Sequence, residues 1–186
     1  QRSGVSARFS IACVEELSGA ALRRAAIAGD SEPVARVGDL VDVVPALRGK
    51  VEFDVTEEGY EEETLVLLAR QATAESWRTL LGGQSTRAFL TNLIEWFDAG
   101  NTLATSDVMS GSEILNSIGP IEGLGAVIGA AEAGMDESPG LAAACVEFAA
   151  EGLWLTRRID KDASGSGSTY AGSAPRVQDS NDEMNS

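Results

Sequence analysis

Arg8 is the first residue of this sequence placed where it could address a ligand. It closes the segment Gly4-Val5-Ser6-Ala7-Arg8, directly ahead of a stretch with helical apolar periodicity. Taken alone, an arginine at a helix start is an ordinary surface residue. A second candidate is the acidic run of Glu57-Glu58 and Glu61-Glu62-Glu63, whose carboxylates could gather a hard cation. The simpler reading is the solvated start of a helix, where the N-terminal dipole favours negative charge. Cys13 and Cys145 each sit inside an apolar helical pattern and read as small buried hydrophobes. The chain has no histidine, which removes the commonest general base and every triad built on imidazole. No G-x-x-x-x-G-K-[ST] phosphate loop is present. No apolar strand ends in an Asp-Glu pair that could hold magnesium, and no ligands have structural-zinc spacing.

One literal metal string occurs. Asp162-Ala163-Ser164-Gly165-Ser166 spells D-x-S-x-S, which in von Willebrand factor A domains follows a buried strand. Here it follows Arg157-Arg158 and opens a Ser/Gly-rich stretch, so composition accounts for it. Site residues are therefore few, and the elements that would position them are mostly helices. Residues 10–28 carry Ile11, Val14, Leu17, Ala21, Leu22 and Ala25 at three- and four-residue spacing. Gly29 suits the left-handed cap after them. Residues 37–44 read as a short helix ended by Pro45, and residues 49–55 as an edge strand or extended connector. Residues 61–81 form a long helix with Leu65, Leu68, Ala72, Ser76 and Leu80 on its apolar face, Trp77 beside it, and Gly82-Gly83 as its stop.

Ser85 is placed as N-cap of the next helix, with Phe89, Leu90, Leu93, Ile94 and Phe97 as its stripe and Gly100 as its end. Further helices are expected over 107–118, closed by Gly119-Pro120, and over 121–133. A last one opens at Ser138-Pro139, packs Leu141, Cys145, Phe148 and Leu155, and ends at Arg157-Arg158. From Asp160 onward the Ser/Gly-rich and polar composition reads as a flexible tail. The expected fold class is thus all-α.

Composition narrows the function classes. The hydrophobic fraction of 44% supports a core, while aromatics at 5% leave Ala, Leu and Val to fill it. With 14 basic against 29 acidic residues, net charge −15, the chain would repel a nucleic-acid backbone and an anionic membrane surface. No apolar run approaches the roughly 20 residues of a membrane helix. Two isolated cysteines are not a disulfide framework, so a reducing cytoplasm is expected. The chain opens on Gln1 rather than methionine, which fits an internal fragment and equally a processed chain.

The order of segments carries a resemblance. After Gly4-Val5-Ser6-Ala7-Arg8 come the helix over 10–28, then Val37-Gly38-Asp39-Leu40, Val44-Pro45-Ala46-Leu47 and Gly49-Lys50-Val51-Glu52. Residues 62–81 and Gly119-Pro120-Ile121-Glu122-Gly123-Leu124 extend it to about Arg158. In this the chain resembles the C-terminal portion of the magnesium-chelatase-like and MoxR-like AAA+ ATPases. The resemblance implies that 1–48 is a lid remnant with the sensor-2 segment, 49–159 a helical C-terminal extension, and 160–186 a disordered tail. It implies that Arg8 is the sensor-2 arginine, on the γ-phosphate of ATP bound by its own or a neighbouring subunit. ATP and Mg2+ would be cofactors of the full-length protein. That protein would assemble into a ring through its AAA+ core and remodel a client or assist metal insertion, with a von Willebrand A-domain protein as partner. The phosphate loop, the magnesium-binding acids and the arginine finger are missing from this sequence, so the fragment alone is not expected to hydrolyse ATP. The alternative is a non-enzymatic acidic helical adaptor that recruits a basic protein.

Overall fold

The computed structural model describes residues 7–47, 50–51, 53, 59–131, 138–165 and 167–173. Its helices are α1 (Ala7–Ala28), α2 (Leu40–Leu47), α3 (Glu61–Leu81), α4 (Arg87–Asp98), α5 (Gly111–Ile118), α6 (Leu124–Ala130) and α7 (Pro139–Leu155), with a 3-10 turn at Val37–Asp39 leading into α2. The strands are β1 (Thr102–Ser106), β2 (Ile159–Ser164) and β3 (Gly167–Gly172). The chain is predominantly helical, as its periodicity predicts. It is not all-α, because the strands form one antiparallel sheet of order β1-β3-β2.

That sheet corrects the expected tail. β2 and β3 make a hairpin that turns at Gly165, whose φ of 59° suits a residue without Cβ. β3 also pairs with β1, setting Leu103 opposite Tyr170, and both side chains are buried in the main core. A Ser/Gly-rich composition misleads here because one residue, Tyr170 at 1% exposure, anchors the strand. The fold therefore runs through residue 172, past the boundary expected at 160. The rest of the expected tail, 174–186, lies outside the described residues, as does most of the expected connector over 49–55.

α7 is the centre of the molecule. Its Leu141, Ala143, Cys145, Val146, Ala149, Ala150 and Leu153 are all buried, so its small side chains let neighbours close on several faces. Ser138 caps it by accepting a hydrogen bond from the Leu141 N–H at 3.2 Å, and Pro139 occupies the first turn as expected. At its other end the N–H of Arg157 donates to Trp154 O and that of Arg158 to Leu153 O, with Arg157 at φ 60° where glycine is usual. α5 starts at Gly111 rather than 107 because Ser110 and Glu113 form a reciprocal capping box. Gly111 meets Gly140 of α7 so closely that a Cβ on it would lie 2.8 Å from the Gly140 Cα.

Two hydrophobic clusters result. The larger surrounds α7 and takes in Phe89, Leu93, Phe97, Leu103, Ile114 and Tyr170. The smaller joins Ala12, Val43, Val44, Leu47 and Leu65. α3 runs through both, with Leu65 in the small cluster and Leu81 in the large one.

Several expected faces are turned. α1 buries Ala12, Ala20, Ala21 and Ala25, leaving Ile11, Val14 and Leu22 exposed. α3 buries Leu65, Thr73 and Leu81, while Leu68 and Leu80 face solvent. Each helix carries apolar residues on more than one side, and on α1 the fully buried side is the one with the smaller residues. Pro45 does not end α2, which continues to Leu47. Pro45 is exposed, as is Val41, whose carbonyl loses the bond that proline cannot make, so water can replace it. α4 starts after Thr86, not Ser85. The Thr86 hydroxyl donates to Leu81 O at 2.7 Å, tying the turn to α3. Among the described residues no helix is long and apolar enough to cross a membrane.

Candidate functional site

Arg8 lies in the first turn of α1 and is exposed; Gly4 to Ser6 lie outside the described residues. It precedes Ala12, the first buried position of the helix. The first turn of α1 holds no acidic residue, so Arg8 has no carboxylate beside it within that turn, at the positive end of the helix dipole. A cation there is mildly unfavourable, whereas an anion would meet both a guanidinium and the positive end of the dipole.

The other end of α1 enters a buried charge cluster. Arg24, 4% exposed, pairs with Asp39 and donates to Val34 O. Asp39 also accepts from the Arg36 N–H at 2.7 Å, which shapes the turn before α2. The Arg36 side chain crosses to the body, donating from Nη2 to Ser106 O at 2.8 Å and Met109 O at 3.0 Å. Its Nε stands 3.6 Å from Glu147 Oε2 on α7, and Glu147 Oε1 accepts from the Gly38 N–H at 3.1 Å. Arg36 Nη1 and Glu147 Oε2 have no hydrogen-bond partner among the described residues. Burial pushes the Glu147 carboxyl above the usual range, opposed by the Arg36 charge, and burial likewise lowers Arg36.

This cluster is the polar seam between the α1–α2 lobe and the α7 body. Asp30 adds to it by accepting from the Gly111 N–H at 3.1 Å. The adjoining cavity, lined by Arg24, Asp30, Glu32, Val34, Arg36, Gly111 and Gly140, measures only about 10 Å³. That is room for about one water molecule and far too little for a nucleotide.

A second buried group clamps the hairpin. Glu151 Oε2 accepts from Lys161 Nζ and from the Tyr170 hydroxyl, both at 2.6 Å. Lys161 also lies over the Trp154 and Tyr170 rings. Burial and the Glu151 charge raise the Tyr170 hydroxyl well beyond its ordinary value, so it stays a neutral donor.

The remaining sequence candidates do not converge. Glu61, Glu62 and Glu63 form the first turn of α3, while Glu57 and Glu58 lie outside the described residues. Asp162 is exposed on β2, the string ends at Ser166 outside the described residues, and no cluster of three or more metal-ligating side chains occurs among the described residues. Cys13 and Cys145 are free thiols. Sequence reasoning missed the buried charges. Their signal was present as Glu147 and Glu151, one helical turn apart in an otherwise alanine-rich apolar stretch, and as Arg24 inside an alanine run. No family model, curated protein or solved structure matches the chain.

Proposed function

We propose that this chain is the lid and C-terminal assembly part of an ATP-hydrolysing motor of the magnesium-chelatase-like AAA+ type, in which Arg8 addresses the γ-phosphate of ATP. The observation that carries the reading is the exposure of Arg8 in the first turn of α1, ahead of the buried positions of that helix. A planar, always-charged fork on a helix N-terminus suits phosphate oxygens. The segment order from residue 4 to about 158 adds the resemblance. On this reading ATP and Mg2+ bind to the AAA+ core of the full-length protein, that core closes the ring, and the α7 body transmits lid position to a client.

The test is Arg8→Ala in the full-length protein. Hydrolysis should fall on the order of 10²-fold, the scale of losing one electrostatic donor to a developing phosphate charge. The melting temperature should hold, because exposed substitutions change stability by less than about 0.5 kcal/mol. If Arg8 serves a neighbouring subunit, mixing the variant with a subunit defective only in its phosphate loop should restore part of the activity. Normal hydrolysis by Arg8→Ala would remove the nucleotide reading. A second reading, a non-enzymatic acidic adaptor, is favoured by the large apolar side chains that α1 leaves in solvent, and it requires no phosphate loop.

A further inference from the structure

α1 and α2 precede every element of the α7 body in the chain and reach that body covalently only through α3. They can therefore leave it without breaking any of its own connections. The inward face of α1 is built mainly of alanine, with Ala12, Ala20, Ala21 and Ala25 buried. Each buries little area, whereas the body encloses Phe89, Phe97 and Tyr170. The buried residues of the small cluster are all different from those of the large one. Segments with few buried apolar contacts open at lower free energy than the core of the same fold.

Beyond α3, the segment meets the body mostly through polar groups. Val34 packs on the large cluster, Asp30 accepts from the Gly111 N–H, and Glu147 accepts from the Gly38 N–H. Arg36 reaches furthest, to Ser106 O, Met109 O and the Glu147 carboxylate. The same residue orders the joint between α1 and α2. Its N–H donates to Asp39, which pairs with Arg24 of α1. Letting go of Glu147 thus disturbs the bond that shapes the turn between the two helices, which couples docking of the segment to its folding. Opening also returns Arg36 and Glu147 to water, recovering the solvation that burial removed. Arg36 Nη1 and Glu147 Oε2, without hydrogen-bond partners among the described residues, gain them there.

We propose that residues 7–47 form a separately opening unit, latched to the α7 body by Arg36, which unfolds and redocks as a whole while α4 to α7 and the sheet stay folded. This inference stands whether or not α1 addresses a nucleotide.

The test is native-state hydrogen exchange of the full chain at rising urea concentrations below the unfolding transition. Amides of α1 and α2 should exchange together through an opening with a shallow urea dependence. Those of α7 and β3 should follow the steeper dependence of global unfolding, because the slope tracks the surface exposed. Tyr170→Phe lies in the body and should speed exchange of α7 and β3 about tenfold while leaving α1 and α2 unmoved, since it affects the docked and opened forms alike. Arg36→Ala should speed α1 and α2 a hundredfold or more, because opening relieves a Glu147 left buried and unpaired. Should Arg36→Ala fail to fold, wild type and Tyr170→Phe still decide whether the unit exists, and Glu147→Gln, which should also speed α1 and α2, decides the latch. A single urea dependence shared by α1, α2, α7 and β3 overturns the proposal, as does equal acceleration of all four by Tyr170→Phe. Exchange of α1 and α2 residue by residue with no urea dependence also overturns it, because the helices would then fray instead of opening as a unit. Exchange of α1 and α2 unmoved by loss of the Arg36–Glu147 pair removes Arg36 as the latch.

Discussion

The indole of Trp77 on α3 lies against the backbone of Gly152 on α7, at the point where a Cβ on residue 152 would stand. The two helices meet there because one of them has no side chain. Trp77 Nε1 is buried without an acceptor among the described residues, so its contribution is packing and not hydrogen bonding.

Gly152→Ala should therefore destabilise the fold by about 1–3 kcal/mol, the usual cost of overpacking, even though alanine favours helices. Chemical denaturation of Gly152→Ala, Trp77→Leu and the double variant measures it. The double variant should lose less than the sum of the singles, since the smaller side chain at 77 relieves the overlap. Strict additivity would show that the contact does not limit the crossing.

Tyr170→Ala should cost roughly 3–5 kcal/mol, as for other large-to-small aromatic truncations in a core. Tyr170→Phe should cost only about 1–2 kcal/mol, because Glu151 keeps Lys161 as a partner. Hydrogen exchange on the wild type should protect the amides of β3 along with those of α7. Rapid exchange across 167–172 would instead restore the flexible tail expected from composition.

At the seam, Arg36→Ala should destabilise by roughly 3–5 kcal/mol, since it leaves Glu147 buried and unpaired. The pH dependence has a definite sign. The folded value of Glu147 is raised above its ordinary 4.5, so the stability linked to its neutral form is complete below that pH. It is lost as pH rises through the folded value. Glu147→Gln removes the titration. Its stability relative to wild type should grow as pH rises from about 4.5, and a difference constant with pH would contradict this.

The thiols should separate in reactivity. Burial raises Cys145 to about 11, so only about one part in a thousand is thiolate at pH 8. Cys13 is also raised but lies partly open in α1. Alkylation of the native chain at pH 8, followed by mass spectrometry, should label Cys13 first and Cys145 only on unfolding.

Local signals in the sequence determined where most helices lie. The span of α3, the Ser138-Pro139 start of α7 and the Phe89–Leu93–Phe97 stripe of α4 follow from periodicity, caps and breakers, which act within a few residues. Arg8 was expected just ahead of a helix over 10–28, whereas α1 begins at Ala7 and takes Arg8 into its first turn. Which face α1 and α3 bury was decided only in three dimensions. Ile11 and Val14 have the greater tendency to be buried, yet α1 meets α2 through Ala12 with Phe9, Cys13 and Leu17 beside it, because close packing depends on the shape of both surfaces. Strands β1, β2 and β3 needed partners distant in sequence. Their residues carry little intrinsic strand preference, and the Leu103–Tyr170 pairing joins positions far apart along the chain. The charge seam needed the fold as well, since Arg36 and Glu147 approach only after α2 and α7 have packed. A buried charge is tolerated only where tertiary structure supplies its counterpart.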